Sequence, residues 1–441
     1  MIISSKRYRM PSWLYEEMKD NPASEALNRG KNIPLTSLIE EALVISSAYM
    51  KKPRGMIVIK QNLYHAQRLY DRISSLLNED ECALFGADES LRVEAIASSP
   101  EMTAVKTETL ASLLKNPDQV VITCPSGLLR QLPFPSDFRD GCIHLKTGDE
   151  MNMNELKRKL MAGGYQQSAH IDQPLCYAYR GGIIDVFSIN YENPVRIEFF
   201  DTEIESIRFF DVVTQKTIQT VDEVDIVPAS DIIFTDSQIE TISRKAHELA
   251  EKMEQFPSSV ESDLMAMEEH VFDRRFYPYM ALLDEAAGLW DYMDRPLVIW
   301  SDKDLIMESA KKLNEETIAY VQEMVQEGKM VPKFTMYHDI SRIAPNSREV
   351  IEDPFENNIA GIEEVHLPNE IIETRLRLIN EKNRSVIALG EKEIRRAVEL
   401  CNEYGIRYSI LGEDGEIKEG INITLFELPQ GFYLSEKDLT V

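Results

Sequence analysis

The chain has 441 residues, 43% of them hydrophobic and 28% charged, which at about 150 residues per domain predicts roughly three soluble globular domains. Its formal net charge of −27 argues against DNA as the main partner, because proteins that hold nucleic acid by its phosphates present Lys and Arg. No apolar run is long enough to cross a bilayer, and the opening MIISSKRYRM is not a signal peptide.

In chain order, 1–138 reads as the first part of a parallel α/β unit. Gly55–Ile59 predicts an apolar strand, and Asn62 caps a helix whose apolar positions are Leu63, Ala66, Leu69, Tyr70, Ile73 and Leu77. Cys82–Phe85 is a second strand, Leu91–Ala97 and Met102–Leu114 are helical, and Val120–Pro125 is a third strand. Ser126 is placed to cap the short helix that follows. Strands alternating with helices imply a largely parallel sheet.

Residues 139–228 differ in character. A helix around Asn154–Met161 ends at Gly163-Gly164. Three runs follow that read as an antiparallel β-meander: Tyr179–Phe187, Pro194–Asp201 and Glu203–Asp211, with Thr220–Val227 as a last strand. In the second run Val195, Ile197 and Phe199 should face a core, and Arg196, Glu198 and Phe200 should face water or a partner. The Gly181-Gly182 pair lets another backbone or a partner come close. Residues 236–292 are helical and polar, with Met265, Met267 and Met280 among the apolar positions, and Met265 and Met267 read as core filler rather than a ligand groove. Pro296–Trp300 is a strand, and Asp302 caps a long helix to about Gln326. Beyond 331 the pattern is again α/β: helix Glu370–Glu381, strand Arg384–Gly390, helix Lys392–Tyr404, strand Ile406–Leu411, then Asn422–Phe426 and Gly431–Tyr433.

RGGIIDVF, a loop, then PVRIEFFDTEIESIRFFD is long and specific, and it resembles the UvrA-binding domain shared by UvrB and the transcription-repair coupling factor (Mfd) family. The repeated Phe-Phe-Asp resembles the coupling factors more than UvrB. Asn62–Tyr70 is similar to a helix at the same place in that family, so the resemblance covers nearly the whole chain. It implies an α/β fold: a RecA-like (superfamily 2 helicase-type) domain lacking a functional P-loop, a UvrA-interaction domain inserted at 139–228, and an additional α/β domain at 331–441. Residues 1–138 are then the first part of the RecA-like domain, and 229–330 return to complete it. It also implies UvrA as partner in transcription-coupled nucleotide excision repair, with Arg180, Arg196 and Phe200 as contact residues and Phe187 as a weaker one. In the family an RNA-polymerase-binding domain and a DNA translocase motor follow, and a C-terminal domain masks the UvrA surface until the motor engages stalled polymerase. The chain is expected to stop before those domains and to work in the cytoplasm without cofactor or metal.

On chemistry alone, Arg suits such a contact because it forms bidentate bonds to carboxylates and stacks on aromatics. The competing roles are pairing of the Arg residues with Asp185 or Glu198 inside the domain, and burial of Phe200 at a bulge. Gln167 stands where the family often carries Arg. A Walker A loop needs Gly residues and Lys-Ser/Thr. At that place this chain reads Gly30-Lys31-Asn32-Ile33-Pro34-Leu35-Thr36-Ser37-Leu38, and Pro34 lacks an N–H. The damage-probing Tyr-rich hairpin of UvrB is also missing. Cys82, Cys124, Cys142, Cys176 and Cys401 show no metal or disulfide spacing, and neither do consecutive Glu268, Glu269 and His270. His144, His170 and His338 have no nucleophile at recognisable spacing. Two alternatives stay open: a divergent helicase-like nucleotide hydrolase, and a regulatory fragment without UvrA affinity.

Overall fold

The computed structural model describes residues 10–88, 91–92, 100–251, 257–272, 274–343, 347–352, 358–365 and 372–441. Most of the helix expected at Leu91–Ala97, and the start of that at Glu370–Glu381, lie outside the described residues.

A six-stranded parallel sheet of Rossmann/RecA type forms the first layer, in the order Ile33–Leu35, Ser347–Glu352, Leu297–Ser301, Met56–Ile59, Val120–Thr123, Cys82–Phe85. Its central strands are covered on both faces, so every residue of Met56–Ile59, Val120–Thr123 and Leu297–Ser301 is buried. Leu297–Ser301 enters from far along the chain and pairs parallel with Met56–Ile59. Ser347–Glu352, placed by sequence in the last unit, also lies in this sheet.

The caps at Asn62 and Asp302 form as read: Asn62 accepts the His65 N–H, and Asp302 accepts that of Leu305 at the head of Lys303–Gln326. Ser126 is not a cap. The residue before Pro125–Leu128 is Cys124, and the Ser126 hydroxyl donates to the Ala87 carbonyl. Helix Leu38–Lys51 carries no amphipathic signal because all residues from Ile39 to Tyr49 are buried. Its core continues into the last unit through Ile362, Phe426 and Phe432.

The first turn of that helix is filled from within: the Glu40 carboxylate accepts the Thr36 N–H at 2.5 Å and the Thr36 hydroxyl at 3.0 Å, and Ser37 accepts the Glu40 N–H. Burial pushes the Glu40 carboxyl above its ordinary pKa. Beside it Lys60 spans from Glu41 (2.8 Å) to Ser301 (2.5 Å).

The inserted β-rich segment begins and ends as one ribbon, Ile143–Lys146 paired antiparallel with Glu223–Ile226. The single strand expected at Thr220–Val227 is thus two. Thr217–Val221 edges the meander; at Asp222, whose carbonyl accepts the Thr147 N–H, the chain turns to pair with Ile143–Lys146. The insertion's own sheet runs Thr217–Val221, Glu203–Phe210, Val195–Phe200, Ile183–Val186, Cys176–Arg180, Gln166–Gln167. Helix Met153–Ala162 packs Leu156 and Leu160 on its inner face with Ile184, Ile197 and Ile207. The third sheet is mixed, in the order Ile362–Glu364, Phe432–Leu434, Leu439–Thr440, Arg384–Leu389, Gly420–Leu425, Tyr408–Ile410. In the helical region Met267 is core but Met265 is 58% exposed, a correction to its expected packing.

Where the insertion rejoins the first layer, three charges are buried together. Arg130 donates through Nε to Asp231 at 2.5 Å, Lys106 lies 3.4 Å from the other Asp231 oxygen, and Tyr277 stacks 3.9 Å from the guanidinium. Burial pushes the Asp231 carboxyl up, but the two cations and the Arg130 hydrogen bond outweigh it and hold it below the usual carboxylate range.

Asp231→Asn should therefore destabilise the chain by about 3–5 kcal/mol at pH 7, because it leaves buried cations uncompensated. The depressed folded pKa means the carboxylate's contribution is complete above the unfolded value of about 3.9 and is lost as pH falls further. Urea melts across pH should show the wild-type advantage over Asp231→Asn shrinking only in acid. A constant gap would refute this.

Candidate partner-binding face

The insertion presents one face of its sheet to its own helix and the other outward. Successive side chains alternate, so Val195, Ile197 and Phe199 go to the core and Arg196, Glu198 and Phe200 point the other way. That outer face has two ends with different fates.

At one end it is covered. Ile171, Cys176, Ala178, Phe187 and Phe210 form a small second core, and the turn 211–216 folds over it. Asp211 fixes that turn by accepting the Thr214 N–H and hydroxyl, and Gln215 takes a positive φ of 58°. Arg196 lies beneath. It is 6% exposed, donates to both Asp185 oxygens at 2.7 Å and to the Gln215 amide oxygen at 3.0 Å, and stacks 4.3 Å from Phe210. Asp185 and Arg196 are cross-strand partners, so the pair pins two strands in register. Arg196 is thus held inside the domain, and Phe187, 9% exposed, is a core aromatic.

At the other end the face is open. Phe200 is 73% exposed, at the end of its strand opposite Glu203. Arg180 is exposed and makes no ion pair or side-chain hydrogen bond among the described residues. Gly181, at φ 56°, turns the chain, and a Cβ on Gly182 would sit 2.9 Å from the Phe199 carbonyl. The glycine pair therefore brings the Arg180 turn against the strand that carries Phe200, where the Gly182 carbonyl accepts the Phe199 N–H at 2.8 Å.

A residue not singled out by sequence, Arg208, lies on the same face and grips Glu198 with two bonds of 2.7 and 2.6 Å. Arg208 and Ser206 hold the Glu198 carboxyl below its ordinary range. The signal was present in the strand alternation, since Arg208 is the cross-strand partner of Arg196. Tyr179, 45% exposed with Lys157 over its ring at 4.2 Å, belongs to the other face. Gln167 sits exposed on the two-residue edge strand, 3.5 Å from the Tyr177 hydroxyl.

The face offers no nucleophile beside a base. Among the described residues no three His, Cys, Asp or Glu side chains converge as a metal site. All five cysteines are free thiols, and no described helix is long and apolar enough to cross a membrane. What the face offers is an unpaired guanidinium and an exposed ring on a rigid sheet, the materials of a protein contact.

The burial difference sets a stability contrast. Arg196→Ala should cost about 3–5 kcal/mol by leaving Asp185 buried and unpaired, while Arg180→Ala should stay within about 0.5 kcal/mol of wild type. Denaturant melts of the two variants check this; equal effects would refute it.

Residues 143–232 match the family model described as the UvrB interaction domain. The chain is 25% identical over 418 residues to the transcription-repair-coupling factor of Bacillus subtilis (strain 168), covering 88% of this chain and 36% of that protein. It is 29% identical over 311 residues to the factor of Staphylococcus haemolyticus, covering 68% and 26%. For a Staphylococcus epidermidis factor the identity is 28% over 313 residues, again covering 68% and 26%. The chain thus spans about a third or less of the length of the curated relatives it matches. Over most of its length, it is a homologue of the N-terminal region of the transcription-repair-coupling factors and contains a UvrB interaction domain.

Proposed function

We propose that this chain is the UvrA-docking part of a transcription-repair-coupling factor and acts by protein contact rather than catalysis. The observation that carries the reading is the match of 143–232 to the UvrB interaction domain. The open end of the outer face supports it, with Arg180 and Phe200 as the contact residues. Arg196 serves the same surface from beneath, holding its strand in register through Asp185. The acidic surface favours a basic protein patch over DNA as the opposing surface. Polymerase binding and DNA translocation belong, on this proposal, to parts of the coupling factors beyond the matched region.

The filled helix terminus at Glu40 supports a RecA-like layer of superfamily 2 type that serves as scaffold, not as nucleotide hydrolase. A phosphate would have to displace a buried carboxylate from the Thr36 donors.

Calorimetric titration of the chain with purified UvrA should give saturable binding that Arg180→Glu/Phe200→Ala weakens at least tenfold with its melting transition intact. Wild-type binding that the double variant retains would move the contact off this face. Absence of wild-type binding would leave a fold without the recruiting role. Titration with Mg-ATP should give no saturable binding and no hydrolysis above background. Hydrolysis that Lys31→Ala removes would overturn the scaffold reading.

A further inference from the structure

At the amino ends of three strands of the first sheet, cations gather with few acids to pair them. This is the opposite end from Thr36 and Glu40. Gly30 and Lys31 lead into Ile33–Leu35, Arg348 lies at the start of Ser347–Glu352, and Lys52 and Arg54 lead into Met56–Ile59. By alternation Arg348 shares the face of Val350, which packs in one core with helices Pro22–Asn28 and Leu38–Lys51. Gly30 follows the first of these helices with a φ of 86°, and a Cβ there would strike the Nη2, Cζ and Nε atoms of Arg348. The Arg348 guanidinium therefore rests directly on that glycine, a place no side chain leaves open.

Arg54 supplies a second guanidinium beside it. It is half-buried, makes no ion pair or side-chain hydrogen bond among the described residues, and its Nε is buried without a partner. Its two terminal nitrogens are unbonded as well but reach solvent. Burial and the neighbouring Arg348 guanidinium together push Arg54 below its ordinary pKa, and no carboxylate acts on it in the opposite sense. Acids along this edge are engaged elsewhere: Asp118 accepts the Gly55 N–H at 3.2 Å, and Asp20 and Glu25 hold Lys51. Lys31 and Lys52 are exposed and make no ion pair among the described residues. In a chain of net charge −27, two adjacent guanidiniums without a carboxylate carry a repulsion that an anion between them removes.

We propose that Arg54 and Arg348 form a binding site for a phosphate dianion. A carboxylate or a nucleic-acid phosphodiester carries one charge and neutralises one guanidinium. A phosphate dianion neutralises both, and its oxygens match the forked N–H donors of arginine. Lys31 and Lys52 flank the pair and add longer-range attraction. A magnesium-chelated triphosphate arrives with much of its charge already neutralised, so the site does not reopen the nucleotide hydrolase reading. It lies on the first layer, away from the face carrying Arg180 and Phe200, and does not depend on the UvrA reading.

The test is calorimetric titration of the full chain with inorganic phosphate, against acetate at matched ionic strength. Phosphate should bind saturably at one site per chain, tightening as pH rises through its second ionisation, and acetate should not bind. Arg54→Gln and, separately, Arg348→Gln should each weaken phosphate at least tenfold, while Arg295→Gln, on an exposed loop of the same layer, should leave it unchanged. Thermal melts keep loss of fold apart from loss of the site. In phosphate-free buffer Arg54→Gln should melt no lower than wild type, because one of two like charges is gone, yet it should lose the rise that millimolar phosphate gives wild type. A phosphoserine hexapeptide beside its serine counterpart identifies the source: binding tighter than free phosphate assigns the site to a modified partner, weaker binding to the free ion. Phosphate binding that both arginine variants retain, equal binding of acetate, or no binding by the wild type would each overturn the proposal.

Discussion

The ion cluster of Asp231, Arg130 and Lys106 is the constraint on which the arrangement rests. Each charge alone would be prohibitive at 0–2% side-chain exposure, so the three segments that carry them must arrive together or not bury them at all. Lys106 comes from a helix of the first layer, Arg130 from the loop after its strand Val120–Thr123, and Asp231 from the exit of the insertion. Tyr277, over the guanidinium, brings in the helical segment that leads to Leu297–Ser301. Such a cluster adds little net stability over a well-packed apolar alternative, but it rewards only one assembly.

The contrast between Arg180 and Arg196 shows how one strand pattern yields two jobs. Both face outward by parity, and both are carried by the same meander. The hairpin at 211–216 folds over one end of the face and not the other, so Arg196 becomes a register pin and Arg180 remains available. Rigidity under an exposed contact matters because a preorganised surface loses less entropy on binding.

Much of this was legible from residues alone. Short apolar strands, the caps at Asn62 and Asp302, the sides taken by Val195, Ile197 and Phe199, and the close approach at Gly182 all follow from local chemistry. Three things were not. Leu38–Lys51 has no period to read because it is buried all round, a fact set by the last unit packing on it. The bend at Asp222 depends on a partner strand some 75 residues earlier in the chain. The burial of Arg196 depends on a loop 15 residues later, and alternation along a strand cannot reveal what folds over it.

The ribbon Ile143–Lys146/Glu223–Ile226 has a consequence for the insertion as a unit of inheritance. Its entry and exit run side by side, about 4.8 Å apart as neighbouring strands do. To the host layer, the whole interaction domain therefore looks like the loop of a hairpin. Such a module can be shortened, enlarged or exchanged between scaffolds without moving the strands around it. That portability suits a surface carried by proteins whose other parts do different work.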